Sequence, residues 1–244
     1  MVKSVKKALD ILTILSENAD KPIPLKELAL RTGLNKSTCA HIVDTMCEQQ
    51  YVERISSKEG YRLGPWSYML SRYGTYCQNL VSTSSSILKW LHKQTEATVF
   101  LSVLCNGRKY IVYHIESDNI LPMGDGSMIQ GHVESTATGR VMLAYMNQTA
   151  LNHLLKKDLK AQDDGLGTEM EEALARIRAC GYAHLAVESE NQQSYAFRIT
   201  KDTKTVASMG VLYRNTKDSP SYREKVVKLG TAAAREISHR LEFM

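Results

Sequence analysis

Apolar residues recur at helical spacing through the first fifty residues of the chain. Residues 4–18 and 25–32 each place apolar side chains on one face at intervals of three and four positions. Gly33 then predicts a tight turn, because glycine adopts a positive φ readily. A further helix is expected to begin after Asn35, whose side chain can accept a hydrogen bond from the backbone N–H of Thr38.

Two β-rich runs follow, and the polar residues between them indicate a hairpin. The runs are residues 51–55 and 61–63, separated by residues 56–60. Helix, glycine turn, helix and hairpin in this order are typical of a winged helix-turn-helix, whose second helix places its N-terminal turn in the DNA major groove. The alternative is a helical hairpin in an ordinary α domain, because a helix–glycine–helix pattern is common.

The next segment, residues 66–95, is a connector rich in aromatic side chains. Residues 66–78 and 80–95 both have helical apolar spacing. The aromatic residues of its first part are Trp66, Tyr68, Tyr73 and Tyr76. Because a large apolar surface is unstable in water, the connector must pack either on its own chain or against a second copy, and we expect the second copy.

The pattern changes to β-branched and aromatic runs from residue 98. Residues 98–104 and 109–115 flank Asn106-Gly107, a strong hairpin signal. A glycine-rich loop is expected over residues 122–131, and residues 134–146 predict a loop that leads into a helix.

Capping signals and alternation divide the last hundred residues. A short helix is expected after a cap at Asn147 or Thr149, and a capping box predicts another helix over residues 168–180, with Gly181 just after its end. Pro220 begins a closing helix. Strands are expected at residues 182–187, 194–199 and 206–213. Strand pairs separated by helices predict a mostly antiparallel α+β domain.

The composition is ordinary for a globular protein, with 43% hydrophobic and 23% charged residues among 244. No apolar run approaches the roughly 18 residues of a membrane span. Asp10 and Glu17 interrupt the basic and apolar N-terminus and no cleavage site follows, so we expect a cytoplasmic protein and no membrane partner. The five cysteines form no C-x-x-C pair and are expected to be free thiols.

The net charge of +5 is mildly basic. Residues 1–64 carry a net charge of +2, residues 65–96 carry +2 and residues 97–244 carry +1. Most of the excess therefore lies in the first 96 residues. This gradient is compatible with contact to phosphates but does not establish it.

Five short motifs stand at residues 8–12 (ALDIL), 32–38 (TGLNKST), 61–64 (YRLG), 136–144 (TATGRVMLA) and 177–183 (IRACGYA). Each motif is weak alone. In this order and spacing they resemble the IclR family of bacterial transcription regulators, and the resemblance covers nearly the whole chain.

The resemblance implies a winged helix-turn-helix at residues 1–64, a linker or dimerisation helix at 65–80 and a GAF-like antiparallel-sheet effector domain at 81–244. It also implies that dimers or tetramers bind near-palindromic double-stranded DNA under the control of a small molecule, for instance an organic acid. No cofactor, metal or catalytic residue is expected. The alternative is a small-molecule-binding enzyme with an appended helical domain, but the sequence shows no catalytic constellation.

The expected DNA-binding residues lie in the helix after Asn35 and in the hairpin. Groove contacts are expected from Ser37, Thr38, His41 and Thr45. Phosphate contacts are expected from Lys36, Arg54, Lys58 and Arg62. Family members commonly have arginine at the position of His41. A base contact by His41 and a solvent-exposed His41 without a role therefore both stay open.

The expected effector site is the start of the helix within residues 134–146. Free backbone N–H groups there can bind an anion, from Ser135, Thr136, Ala137, Thr138 and Gly139. A plain capped helix start is the alternative. Alternation places Ser194, Ala196 and Arg198 on one face of a strand, where Arg198 would hold a carboxylate or lie at the rim in solvent. Gly210 on the next strand completes the expected set.

His132 and Glu134 lie close together in the chain and are a candidate metal or acid–base pair. Their spacing matches no metal motif and no nucleophile motif accompanies them. We therefore expect His132 to be a surface residue.

Overall fold

A computed structural model describes residues 2–18, 21–56, 58–73, 77–118, 129–130, 132–158, 168–187 and 191–243. The chain divides into two compact units, residues 1–76 and residues 77–244. Each unit has a hydrophobic core of its own.

The N-terminal unit is a helix-turn-helix followed by a wing, as the sequence predicts. Its helices before the wing are α1 (Lys3–Ser16), α2 (Leu25–Thr32) and α3 (Lys36–Glu48). The wing is an antiparallel pair, β1 (Val52–Ser56) and β2 (Gly60–Leu63). Helix α4 (Pro65–Tyr73) closes the unit. The single helix expected over residues 66–78 is wrong at its end, because Gln78 is the first residue of the next helix and residues 74–76 lie outside the described residues.

A small apolar core holds the inner face of α3 against the rest of this unit. Cys39 and Val43 of α3 are fully buried beside Ile11 of α1 and Leu28 of α2. Burial of such side chains is worth roughly 1.5–3 kcal/mol each. Because the inner face is fixed in this way, the opposite face of α3 is left to solvent.

The C-terminal unit alternates helices and strands. Its elements are α5 (Gln78–Thr95), β3 (Thr98–Cys105), β4 (Arg108–Ile115), β5 (Ile129–Gln130), α6 (Ala137–Ala144), α7 (Gln148–Asp158), α8 (Thr168–Cys180), β6 (Tyr182–Val187), β7 (Gln192–Lys201), β8 (Lys204–Arg214) and α9 (Pro220–Glu242). The described strands form one antiparallel sheet in the order β5-β4-β3-β8-β7-β6. The predicted α+β class is confirmed.

For this unit the structure contradicts one prediction from the sequence, decides between the two caps offered for α7 and confirms the end of α8. The loop expected over residues 122–131 contains strand β5, while residues 122–128 and 131 lie outside the described residues. Asn147 caps α7, because its side-chain oxygen accepts a hydrogen bond from Ala150 N–H at 2.8 Å. Gly181 follows α8 with φ of +85°, as its C-cap position requires.

Helices cover both faces of the sheet. Tyr195 and Phe197 of β7 point into a core built with α5 and α9, whereas Ala196 between them packs with α6 and α8. The alternation predicted for this strand is therefore found. In the described part of the chain, no helix combines the length and apolarity needed to cross a bilayer.

Candidate DNA-binding surface and effector site

The leading turn of α3 is capped and stands in solvent. Asn35 accepts a hydrogen bond from Thr38 N–H at 2.8 Å, as predicted. Gly33, with φ of +65°, makes the turn between α2 and α3. Lys36 and Ser37 are exposed on the first turn, and N–H groups at such a helix start point outward toward an anion. The turn therefore has the chemistry of a phosphate contact.

The exposed face of α3 carries polar and basic side chains in its first half and acidic side chains in its second half. Ser37 and His41 are exposed in its first half, one helical turn apart. Thr38 is half-buried, and the Thr45 hydroxyl donates to the carbonyl of His41 at 2.9 Å. Asp44 and Glu48 occupy the same side further on, where their charge repels phosphate. The first half of this face is therefore free of acidic side chains, which favours it for contact with phosphate.

The wing carries the other candidate cations. Lys58 is exposed beside the wing turn, and in the described part of the chain neither Lys58 nor Lys36 forms an ion pair. Arg62 is paired with Glu53 at 2.9 Å across the wing. The Arg54 guanidinium lies 5.7 Å from the centre of the Tyr61 ring. A phosphate contact by Arg62 must compete with its carboxylate partner, whereas Lys36 and Lys58 have no such competition.

Hydroxyl groups in the loop before α6 form hydrogen bonds with the backbone of the same segment. The Ser135 hydroxyl donates to the His132 carbonyl at 2.7 Å, and the Thr136 hydroxyl accepts from Gly139 N–H at 3.1 Å. Ala137 is buried in the apolar core. A Cβ atom on Gly139 would lie 1.8 Å from the carbonyl oxygen of Val133, so the protein's own backbone occupies the space that we expected a ligand to approach.

Thr138 contacts a buried lysine that the sequence pattern did not single out. Its hydroxyl accepts a hydrogen bond at 3.2 Å from Lys109, which lies on β4 and is only 2% exposed. The ammonium also lies 5.8 Å from the centre of the Phe100 ring. Burial lowers the pKa of Lys109 to about 8, since an ammonium loses its hydration there. No carboxylate within the described residues forms an ion pair with it.

Two buried hydroxyls lie on the same face of the sheet as Lys109. Ser102 of β3 pairs directly with Ser208 of β8, and neither is exposed. Among the described residues neither Oγ atom has a hydrogen-bond partner. Lys109 pairs with Leu104, one step along this face from Ser102. Lys109, Thr138, Ser102 and Ser208 are called the Lys109 site below.

Two further residues expected in the effector site, Arg198 and Ser194, lie on β7, and Arg198 already contacts other parts of the protein. The Arg198 guanidinium donates to Thr205 Oγ1 at 2.8 Å and to the Thr203 carbonyl at 2.7 Å, and lies 4.1 Å from the Tyr145 ring centre. These two hydrogen bonds hold the guanidinium in place and use two of its five N–H groups, so binding of a carboxylate by Arg198 stays a prediction. Ser194 is nearly buried on the same strand.

Gly210 is covered rather than open. A Cβ atom there would lie 2.2 Å from the Phe100 ring, so the ring occupies the space beside this glycine. Phe100 and Gly210 are direct partners on β3 and β8. Gly210 therefore serves the packing of Phe100, on which the Lys109 ammonium rests.

His132 lies 3.4 Å from Glu134, with 83% of its side chain exposed. No cluster of three or more potential metal ligands is found within the described residues. This geometry is that of a surface ion pair, which is worth little.

Family models match both units of the chain. The IclR helix-turn-helix domain matches residues 4–56, and the model described as bacterial transcriptional regulator IclR C-terminal matches residues 75–239. The chain belongs to the IclR family. It is a DNA-binding transcription regulator with a C-terminal domain that binds a small molecule, and not an enzyme.

Two curated relatives match this chain over two thirds or more of their length, and a solved structure matches it throughout. The regulator KdgR of Dickeya chrysanthemi is 23% identical over 252 aligned positions, covering 99% of this chain and 81% of that protein. The transcriptional repressor IclR of Escherichia coli K12 is 24% identical, with coverages of 75% and 68%. An IclR homologue from Microbacterium hydrocarbonoxydans, crystallised with 4-hydroxybenzoate, has a TM-score of 0.80 at 18% identity and coverages of 99% and 100%.

Proposed function

We propose that this chain is a cytoplasmic repressor that binds a near-palindromic operator as a homodimer or tetramer and responds to a small-molecule effector. The observation that carries the proposal is the leading turn of α3, which is capped and solvent-exposed and carries Lys36, a cation that forms no ion pair within the described residues. Repression is proposed because relatives are named as repressors.

The connector supports an assembly of two or more copies. Trp66 and Leu70 of α4 are 45% and 51% exposed, although both are large and apolar. Exposed apolar side chains on one helix favour an interface. Two copies would present two α3 helices to successive major grooves, and this arrangement requires an operator with two-fold symmetry.

The effector would act by linkage. A ligand that binds one conformation of the C-terminal unit better than another shifts the population, and the same free energy appears in the affinity for DNA. The start of α6 and the Lys109 site are proposed as the binding site. A small hydroxylated acid fits this proposal, because a structural neighbour contains 4-hydroxybenzoate.

Two substitutions test the DNA-binding part of the proposal, and each is expected to change a different property of DNA binding. His41→Ala is expected to reduce discrimination between operator and unrelated DNA about tenfold, since a lost base contact costs about 1–3 kcal/mol. Lys58→Ala is expected to weaken binding to all DNA and to reduce the slope of log affinity against log salt by about 1. Gel-shift titrations at two salt concentrations measure both quantities.

Lys204→Ala is the matched control, because Lys204 is an exposed lysine at the start of β8 in the other unit. It should leave discrimination and salt slope unchanged. Unchanged discrimination in the His41 variant would support the alternative that His41 only faces solvent. A salt slope unaffected by Lys58→Ala would remove the wing from the interface.

A further inference from the structure

We propose that Lys109 reads the charge of the effector, so that this chain responds to a small monoanion that also carries a hydroxyl or carbonyl group. The inference rests on the proposed function, because it takes the Lys109 site as part of the effector site. It assigns the recognition of charge to a lysine on β4 rather than to Arg198 or to the backbone of the α6 start.

The first argument is the missing counter-charge. A lysine is rarely buried unless it is paired, because the desolvation of an ammonium is costly. Lys109 has three N–H donors, and within the described residues one of them has an acceptor, the neutral hydroxyl of Thr138. The Phe100 ring supplies a weak second contact. An anionic ligand provides the charge that these contacts lack.

The second argument is the position of the unpartnered hydroxyls. Lys109 starts opposite Leu104, yet its ammonium lies near the ring of Phe100, four residues back along β3. Ser102 lies between these two positions on the same face of β3. Ser102 and its partner Ser208 are buried without hydrogen bonds in the described part of the chain, which is costly unless a ligand or water binds them.

These features together select the class of ligand. Water would satisfy the two serine hydroxyls but would not neutralise the ammonium. One available lysine matches a single negative charge better than the two charges of a phosphate dianion. A serine hydroxyl both donates and accepts, so the neutral part of the ligand can be a hydroxyl or a carbonyl group. A compact hydroxy acid or keto acid meets all three conditions.

Three other basic groups described on this side of the sheet have contacts of their own. Arg140 of α6 donates to the Glu134 carbonyl, and His114 of β4 lies 3.7 Å from Glu116. Arg198 of β7 is held by threonine oxygens and an aromatic ring. Burial is the cause of the lowered pKa of Lys109. An anion bound beside the amine would keep it protonated, so affinity should fall as the pH rises above about 8.

Calorimetry on the full-length chain tests the proposal with matched probes. Glycolate, lactate, pyruvate and 3-hydroxybutyrate are each compared with their own uncharged amide at pH 7 and pH 9. At least one acid is expected to bind at least about tenfold more tightly than its amide, since the charge pair contributes over 1.4 kcal/mol. Its affinity should fall about tenfold at pH 9, because about one amine in ten then keeps its proton.

Three variants separate the effect of the Lys109 charge from the effect of side-chain packing. Lys109→Met should abolish the preference for acids while the circular dichroism spectrum is retained. Lys109→Arg should retain the preference and lose the fall at pH 9, because a guanidinium stays charged there. Ser102→Ala should weaken acids and amides equally. The proposal is overturned if no acid binds more tightly than its amide, or if Lys109→Met keeps the preference.

DNA titrations with and without the acid that binds distinguish failure of this proposal from failure of the proposed function. Lys109-dependent binding that leaves DNA affinity unchanged would support the charge assignment and contradict effector control. DNA affinity that responds equally to acid and amide would support effector control and overturn the charge assignment.

Discussion

Gly60→Ala is expected to destabilise the N-terminal unit by about 3–5 kcal/mol and to abolish operator binding, because the added Cβ meets backbone that cannot move freely. The new atom would lie 2.2 Å from the carbonyl oxygen of Ile23. That oxygen accepts from Tyr61 N–H at 2.9 Å, and Ile23 N–H donates back to the Tyr61 carbonyl at 2.8 Å. Relief of the clash would separate these partners and detach the wing from the segment before α2. Gly60 also has φ of +103°, which an alanine tolerates poorly.

Gly33→Ala is the matched control. Gly33 also has a positive φ, but a Cβ there would meet no atom within 4 Å. We expect a cost of about 1 kcal/mol and nearly unchanged operator affinity. Hydrogen exchange of peptides from residues 2–73 of the full-length chain, together with gel shifts, measures both variants. Equal stability and equal operator affinity of the two variants would contradict the proposed role of the wing contact.

Lys109→Met is expected to stabilise the ligand-free C-terminal unit by about 3–4 kcal/mol at pH 7, since a pKa displaced by one unit corresponds to 1.36 kcal/mol. The pKa of Lys109 in the folded chain is about 8, below its ordinary value of 10.5. Below pH 8 both folded and unfolded chains hold the proton, and the folded chain bears the full cost of a buried ammonium. Between pH 8 and 10.5 the folded chain releases the proton first, so the wild type should gain stability with rising pH.

The difference in unfolding free energy between the wild type and the Lys109→Met variant isolates the contribution of Lys109. Chemical unfolding at pH 7, 8, 9 and 10 should show a stability advantage of the methionine variant that shrinks as the pH rises. Titration of Tyr195, Tyr213 and Tyr222, whose pKa values burial raises, occurs in both proteins and cancels. A methionine variant less stable than the wild type at pH 7 would mean that the ammonium is net stabilising in the ligand-free fold. A gain in stability coupled to loss of function is common at binding sites.

Local signals in the sequence predict most of the fold correctly. The cap at Asn35, the hairpin at Asn106-Gly107 and the helix end at Gly181 each depend on residues a few positions apart. Long apolar periodicities predict α3 and α9 for the same reason. Strand β5 was missed because two residues carry no periodicity.

The proposed effector site depends on contacts that no local pattern contains. A lysine that follows a hairpin turn is typical of a solvent-exposed position, whereas Lys109 is buried and donates to Thr138, 29 residues later. Ser102 and Ser208 meet only because β3 pairs with β8 across more than a hundred residues. The ligand approach expected at Gly139 stays a prediction, and no local pattern indicates that a Cβ at this position would meet the Val133 carbonyl oxygen.

Selection of bound duplexes from a random pool, with the full-length chain and with its Ser37→Glu variant, tests most directly whether the α3 leading turn reads DNA. Ser37 is exposed and a carboxylate stabilises a helix start, so the variant should fold. The wild type is predicted to enrich an inverted repeat with half-sites about 10–10.5 base pairs apart or a multiple of that spacing, and the variant to enrich nothing, because the carboxylate repels phosphate. Enrichment of the same sequence by both proteins, or of none by the wild type, would contradict the account.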